Sequence, residues 1–276
     1  MTQYAAGGSG PKRVTTRTFA AAKAKGEPLV VVAAYDALFG RLCDEAGVDS
    51  VLVGDSLGNV VAGYESTLPV TLDVMVHHGA AVRRGVSRAL VVVDMPFLTY
   101  EVTAERALLN AGRVMQETRC DAVKLEGGSE ETADTVERLV RAGIPVMGHL
   151  GFTPQRVNVL GGFRVQAREA EDADRMVEEA KRLEAAGAFS IVLELVPAAV
   201  AQRVSAAVRV PTIGIGAGVG CDGQVLVLAD LLGLTDGRKP KFVKRYAELA
   251  GEVRGAVGRF AAEVRERAYP DAEHAF

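Results

Sequence analysis

One arrangement recurs along this chain and limits the folds open to it: a short, apolar, β-branched run is followed by a segment with helical periodicity, about eight times over. Runs of this kind are typical of strands buried on both faces of a parallel sheet. A (β/α)8 TIM barrel needs about 250 residues, so the 276 residues present predict a single-domain α/β barrel. A doubly wound open sheet is the competing architecture.

The same pattern assigns the elements to the sequence. Residues 1–13 lack periodicity and are predicted to be a flexible tail, whereas residues 14–276 are predicted to form the barrel, with a C-terminal helical extension over 241–268. Two glycine-rich stretches, 57–69 and 152–168, are predicted to be loops over a site. The eight predicted strands lie at 29–36, 51–53, 89–94, 121–126, 144–149, 190–197, 211–218 and 225–232.

Composition and charge exclude several classes of protein. The net charge is −3 and no long basic cluster is present, so neither nucleic acid nor a membrane is an expected partner. No apolar run approaches the roughly 18 residues of a membrane span, and the amino terminus lacks a signal-peptide pattern. The widely spaced Cys43, Cys120 and Cys221 favour thiols in a reducing compartment over disulfides or a zinc site. We therefore expect a cytoplasmic protein that acts on small molecules.

Ionisable or polar side chains end several of the predicted strands. In a parallel barrel the carboxyl ends of the strands meet at one mouth, where binding and catalytic side chains collect. Lys124 and Glu126 lie two residues apart, so both should point to the same face of their strand. The side chains predicted to meet at this mouth are Tyr35, Asp55, Ser56, Asp94, Lys124, Glu126, His149 and Glu194.

The three carboxylates of Asp55, Asp94 and Glu126 predict a site for a hard divalent cation, and oxygen ligands without cysteine favour Mg²⁺. A bound Mg²⁺ would chelate a 2-oxo acid through its keto and carboxylate oxygens, polarise the carbonyl and stabilise an enolate. This predicts magnesium-dependent chemistry on a 2-oxo acid.

The remaining polar residues each allow two interpretations. Glu194 lies in an otherwise apolar run, which is typical of a salt-bridged core residue or of a general base. The Asp55–Ser56 pair also fits a helix cap or turn. Tyr35 and His149 either line the reaction space or have a structural role, whereas His77 and His78 lie in a predicted helix and are not expected to be ligands.

A series of segments, taken together, resembles the ketopantoate hydroxymethyltransferase family. The resemblance extends in order from about Tyr35 to His274, which is nearly the whole chain. Two positions depart from the family pattern: Ala167 stands where glycine is expected, and Cys221 where another small residue is common. The segments are Val53–Gly58, Ser66–Thr71, His78–Gly85, Asp94–Phe97, Val123–Gly128, Gly148–Gln155, Gly161–Gln166, Gly214–Gly218 and Asp222–Gln224.

The resemblance implies an activity and an assembly. It implies a (β/α)8 barrel of the phosphoenolpyruvate/pyruvate type and a cytoplasmic homo-oligomer, with a decamer as the expected state. The implied reaction transfers a hydroxymethyl group from 5,10-methylenetetrahydrofolate to 3-methyl-2-oxobutanoate and gives 2-dehydropantoate, a step of pantothenate biosynthesis.

The resemblance also implies a role for particular residues. Asp55 and Asp94 would bind Mg²⁺, with Glu126 completing the metal site. Ser56 and Lys124, with the two aspartates, would hold the keto acid. Glu194 would be the catalytic base that removes the C3 proton.

Two other functions compete with this one. A lyase or mutase of the phosphoenolpyruvate-type barrel group would use the same metal and enolate chemistry without folate. A non-catalytic barrel would have lost its activity, but charged strand ends that serve no purpose would be destabilising.

Overall fold

The computed structural model describes residues 12–162, 164–235 and 239–276. Most of the predicted tail over 1–13 lies outside these residues. The described residues up to Leu226 form one compact unit, and those from Val227 onward form another. Within the described ranges, none of the helices combines the length and the apolar content needed to cross a bilayer.

Eight parallel strands close into a barrel in the order of the sequence, which confirms the predicted fold. Strands β2, β3 and β4 are buried at every position, as their continuous apolar runs predict. The strands are β1 (Leu29–Ala33), β2 (Ser50–Val53), β3 (Leu90–Asp94), β4 (Ala122–Glu126), β5 (Val146–Gly151), β6 (Ser190–Glu194), β7 (Thr212–Ile215) and β8 (Gly223–Val227).

Helices connect the strands, and their starts follow from the sequence. Thr71, Thr103 and Ser129 each accept a hydrogen bond from a backbone N–H of the helix that follows, which satisfies one otherwise unpaired donor. The helices are α1 (Thr16–Lys25), α2 (Ala37–Glu45), α3 (Leu57–Val60), α4 (Leu72–Gly85), α5 (Ala104–Thr118), α6 (Glu130–Arg141), α7 (Val157–Leu160), α8 (Ala170–Ala185), α9 (Ala198–Ala207), α10 (Leu228–Leu231) and α11 (Leu249–Glu266).

The largest differences from prediction fall near the C-terminus and in the two loops. The predicted eighth strand begins two residues too late and includes α10, because the apolar run 225–232 does not itself mark where extended backbone changes to helix. Helix α11 begins eight residues later than predicted. The predicted loops contain α3, α7 and a short 3₁₀ turn at Pro154–Arg156.

A buried carboxylate at the amino-terminal end of β3 holds this side of the barrel together. Asp44 accepts hydrogen bonds from the backbone N–H groups of Ser87, Arg88 and Ala89 and from the Ser87 hydroxyl, at 2.6–3.2 Å. Burial alone would raise its pKa, but these donors favour the charged form more strongly and hold the pKa below its ordinary value of 3.8. Asp44 therefore fixes the turn that leads into β3.

We expect Asp44→Asn to destabilise the fold by about 2–4 kcal/mol, because an amide presents N–H groups to donors that need an acceptor. The Asp44 carboxylate stabilises the fold fully above pH 3.8 and loses this contribution as the pH falls through the lower folded pKa. Urea unfolding across pH 2–7 should therefore show a weaker acid dependence in the variant. Glu45→Gln, at the neighbouring exposed position, is the control and should unfold like the wild type.

Candidate active site

The predicted residues do converge at the carboxyl ends of consecutive strands. Strand pairing places Asp94 of β3 beside Lys124 of β4, and Glu126 of β4 beside His149 of β5. The next pairing sets Gly151 of β5 beside Glu194 of β6. Asp55 follows β2, which pairs with β3. One rim of the barrel therefore carries charged side chains from five strands.

Asp55 and Asp94 are in direct contact at this rim. The backbone N–H of Asp55 donates to Asp94 Oδ2 at 3.1 Å, and both residues are buried. Burial and the nearby charges of Asp94 and Glu126 raise the pKa of Asp55 to about 8. Burial likewise raises the pKa of Asp94, although Lys124 opposes the shift. Ionising these carboxyls together in the folded protein therefore requires positive charge close to them.

Lys124 is the cation within this cluster. Its Nζ lies 3.1 Å from Asp94 Oδ1 and 3.1 Å from His149 Nδ1, and the side chain is buried. Burial would lower the pKa of Lys124, but Asp94, Glu126 and Asp55 outweigh it and raise the pKa, so the ammonium stays charged. A buried ammonium requires such partners.

His149 connects Lys124 to Glu194. An ammonium can only donate, so His149 Nδ1 accepts from Lys124 and the ring proton lies on Nε2. That nitrogen is 3.2 Å from Glu194 Oε2. His149 therefore lies close to the predicted base, although its Nε2 makes no hydrogen bond with the described residues, and the Glu194 side chain itself remains 16% exposed.

Backbone geometry holds Glu194 at the rim. The N–H of Phe152 donates to the Glu194 carbonyl at 2.8 Å. Gly151 has a φ of +93°, and a Cβ there would lie 2.2 Å from the same carbonyl oxygen, so only glycine allows this approach. Leu195, with a φ of 49°, turns the chain sharply after Glu194. A left-handed conformation at such a residue costs roughly 1–2 kcal/mol and indicates a constrained position.

The side chains of Tyr35, which follows β1, and Ser56, which follows Asp55, contact each other. The Tyr35 hydroxyl lies 2.9 Å from Ser56 Oγ. His78 Nδ1 donates to the Tyr35 carbonyl at 2.6 Å, a backbone contact that matches the expectation of a structural role. The structure therefore brings all eight predicted site residues to one rim.

Sequence reasoning did not single out two buried residues that contact this cluster. Gln155 donates through Nε2 to Asp55 Oδ2 at 2.8 Å, and Tyr100 donates to Gln155 Oε1 at 2.8 Å. Gln155 was visible as the last residue of the segment Gly148–Gln155, which contains His149. Tyr100 carries no comparable signal in the sequence.

The donor set fits a magnesium ion without forming a complete cage for it. The described residues contain no group of three or more His, Cys, Asp or Glu arranged as a ready ligand set. Mg²⁺ does not require one, because it is usually bound by one or two carboxylates plus water and substrate. Glu126 Oε1 is buried and accepts no hydrogen bond from the described residues, and Lys124 Nζ lies 3.1 Å from Asp94 Oδ1. A hard cation suits these oxygens and would favour the ionised carboxylates.

A cavity of about 630 Å³ adjoins the cluster. Glu126, Tyr100 and Gln155 line its inner end, and the apolar Phe97, Leu98 and Val159, among others, line the remainder. Its volume lies in the range of about 300–1,000 Å³ that is typical of ligand sites. The rim therefore has room beside it for a second, larger molecule.

Comparison with known proteins finds relatives that match nearly the whole chain. A family model described as ketopantoate hydroxymethyltransferase matches residues 13–272. The 3-methyl-2-oxobutanoate hydroxymethyltransferase of Syntrophus aciditrophicus (strain SB) is 52% identical over 265 residues, which cover 96% of this chain and 97% of that protein. The protein of the same name from Nitratidesulfovibrio vulgaris (strain DP4) is 55% identical over 269 residues, which cover 98% and 87%.

Solved structures with the same fold are more distant in sequence. Phosphonopyruvate hydrolase has a TM-score of 0.63 at 13% identity, covering 95% of this chain and 91% of that one. A 2,3-dimethylmalate lyase, described as a PEP mutase/isocitrate lyase superfamily member, has a TM-score of 0.60 at 15% identity, covering 95% and 92%. These likenesses confirm the predicted type of barrel and extend to the fold alone.

The raised pKa of Asp55 predicts how the stability of the metal-free protein varies with pH. The protonated carboxyl stabilises the fold below the ordinary pKa of 3.8, and this contribution is lost as the pH rises toward the folded value of about 8. Asp55→Asn removes the titration, so the variant should gain stability relative to wild type as the pH rises from 4 to 8. Thermal unfolding in EDTA measures this, and a difference that does not vary with pH would contradict the assignment.

Proposed function

The chain belongs to the ketopantoate hydroxymethyltransferase family, and from this premise we propose that it transfers a hydroxymethyl group to 3-methyl-2-oxobutanoate to form 2-dehydropantoate in pantothenate biosynthesis. The family is one of enzymes, and relatives 50–55% identical to this chain carry the corresponding name. The observation that carries the proposal is the position of Glu194, a partly exposed carboxylate directed at the same rim as Lys124, Asp55 and Asp94.

The substrate is held by groups at this rim. Lys124 offers a fixed positive charge to the carboxylate of the keto acid, and the Ser56 hydroxyl, oriented by Tyr35, offers a hydrogen bond. Asp55 and Asp94, with Glu126, are the residues that would hold Mg²⁺. When bound, that ion supplies a Lewis acid for the keto group.

Glu194 is the proposed base that removes the C3 proton of the keto acid. Its carboxylate accepts the C3 proton, and His149 Nε2 lies 3.2 Å from one oxygen of that carboxylate. The resulting carbon nucleophile forms a C–C bond to the one-carbon unit of 5,10-methylenetetrahydrofolate, and one water supplies the oxygen of the hydroxymethyl group. Both bonds from that carbon to folate nitrogens break, and the two nitrogens take up the proton removed from C3 and the proton released by the water. The cavity beside Glu126 has the volume for the folate carrier.

The lyase or mutase alternative is distinguished by its product. Some such enzymes could use a cysteine, but burial raises the pKa of Cys43 and of Cys120 to about 11 and also raises that of Cys221. Thiols with these pKa values are poor nucleophiles near neutral pH. The three cysteines therefore favour the transferase over a thiol-dependent lyase.

We expect Glu194→Gln to abolish proton removal and to leave keto-acid binding largely intact. With Mg²⁺ and 3-methyl-2-oxobutanoate in D₂O, NMR should show C3 exchange in the wild type and a loss of about 10²–10⁴-fold in the variant. Product should form only when tetrahydrofolate and formaldehyde are added. Exchange without product would favour the lyase class, and wild-type exchange in Glu194→Gln would refute the base. Glu171→Gln, at an exposed position of α8, is the matched control.

The assembly implied by the resemblance is a further part of the proposal. Helix α11 presents an exposed apolar stripe at Val253, Val257, Phe260 and Val264, a feature that often marks an interaction surface. We expect light scattering to give a mass several times the 29.1 kDa of one chain, with a decamer as the predicted state. Phe260→Glu should lower this mass, and a monomeric wild type would contradict the prediction. The cytoplasmic location also remains a prediction.

A further inference from the structure

Tyr100 and Gln155 form one continuous hydrogen-bonded chain across the metal-binding carboxylates. The backbone N–H of Glu126 donates to the Tyr100 hydroxyl at 3.2 Å, and that hydroxyl donates to Gln155 Oε1 at 2.8 Å. Gln155 Nε2 then donates to Asp55 Oδ2 at 2.8 Å and to the Met95 carbonyl at 2.9 Å. The backbone N–H of Gln155 donates to Glu126 Oε2 at 3.1 Å.

The direction of each hydrogen bond in this chain is fixed. The Met95 carbonyl can only accept, so Gln155 Nε2 faces it and Gln155 Oε1 faces Tyr100. The Tyr100 hydroxyl accepts from the Glu126 N–H and donates to Oε1. The Gln155 amide must then accept at Oε1 and donate at Nε2. The reversed amide would place its oxygen against the Asp55 carboxylate and the Met95 carbonyl, and both of these are acceptors.

Burial makes this arrangement costly to disturb. Tyr100 and Gln155 are each 4% exposed, and a buried polar group left without a partner costs roughly 1–3 kcal/mol. The Gln155 side chain is therefore held in one orientation.

Because the Gln155 amide is uncharged, it can hold the Asp55 carboxylate without neutralising it. A lysine or arginine would neutralise the carboxylate and compete with a cation. The Gln155 amide instead fixes one oxygen of Asp55 without adding charge, while its backbone N–H fixes one oxygen of Glu126. Glu126 Oε1 accepts no hydrogen bond from the described residues and stays available for a ligand. Groups that orient metal-binding carboxylates in this way commonly tune metal affinity.

We propose that Gln155, locked by Tyr100, is a positioning residue that orients Asp55 and Glu126 for the divalent cation. This inference rests on the proposed function of the same site, which places the cation on these carboxylates. It also ties the turn Pro154–Arg156 to the carboxylates.

The test measures Mg²⁺ binding directly, by isothermal titration calorimetry on metal-free protein. Gln155→Met preserves length and volume and keeps the backbone N–H, and we expect it to weaken Mg²⁺ binding about 10- to 100-fold. Tyr100→Phe removes the hydroxyl that holds the Gln155 amide and accepts the Glu126 N–H but leaves Gln155 in place, so we expect a smaller loss in the same direction. Gln116→Met, at an exposed position of α5, should bind as the wild type does.

Kinetics separate positioning from general damage to the fold. Gln155→Met should need about 10- to 100-fold more Mg²⁺ for half-maximal rate, with kcat restored to near the wild-type value at saturating Mg²⁺. Wild-type Mg²⁺ affinity in both Gln155→Met and Tyr100→Phe would overturn the inference. If Gln155→Met does not fold, Tyr100→Phe alone decides, and wild-type affinity in it would overturn the inference. If the wild-type protein binds no Mg²⁺, the metal assignment in the proposed function fails first, and this inference falls with it.

Discussion

The buried ion pair between Lys124 and Asp94 is the interaction on which the site depends. Several carboxylates are packed at one rim of the barrel, and burial disfavours their charged forms. Without the ammonium, the acidic groups would have to be protonated or exposed to water. With it, a partly compensated negative cluster persists in the folded protein, and the remaining charge is available to a cation and a substrate.

The carboxylates at the two ends of the barrel differ in how fully they are hydrogen-bonded. At the amino-terminal end, Asp44 has a full set of donors, and Asp222 accepts from Lys23, from the Thr212 hydroxyl and from the Thr212 N–H. At the carboxyl-terminal end, Glu126 keeps a buried oxygen that accepts no hydrogen bond from the described residues, and Asp94 Oδ1 has the Lys124 ammonium beside it, 3.1 Å away. Satisfied charges stabilise a fold, whereas unsatisfied ones are retained where a ligand completes them.

The sequence predicts the barrel well because each strand is a continuous apolar run that ends abruptly. It also predicts which side chains meet, since parallel strands place their carboxyl ends together. Gln155 and Tyr100 were not predicted as site residues because they lie in loops. Their contacts depend on how those loops fold back over the rim. The run 225–232 was predicted as strand throughout because apolar content alone does not separate a strand from the helical turn that follows it.

Ala167, one of the two departures from the family pattern, has a left-handed backbone conformation. Glycine was expected at this position, and the structure gives Ala167 a φ of 54°, in the left-handed region that glycine adopts without strain. The preceding residue, Gln166, donates its backbone N–H to the carbonyl of Leu195, the residue that turns the chain after Glu194. The loop therefore keeps the backbone conformation that the glycine would favour, at the expense of some strain.

The segment Gly151–Gln155 joins the two halves of the proposed chemistry. At its start, Phe152 donates its backbone N–H to the carbonyl of Glu194, the proposed base. At its end, Gln155 donates to Asp55 and Glu126, the proposed metal-binding acids. The last residue of β5 and the four residues that follow it thus connect the proposed proton acceptor to the proposed metal-binding acids, and proton removal next to a polarised carbonyl requires the distance between such groups to be constant. In the proposed mechanism, the loop after β5 is therefore part of the catalytic geometry as well as a connection between elements.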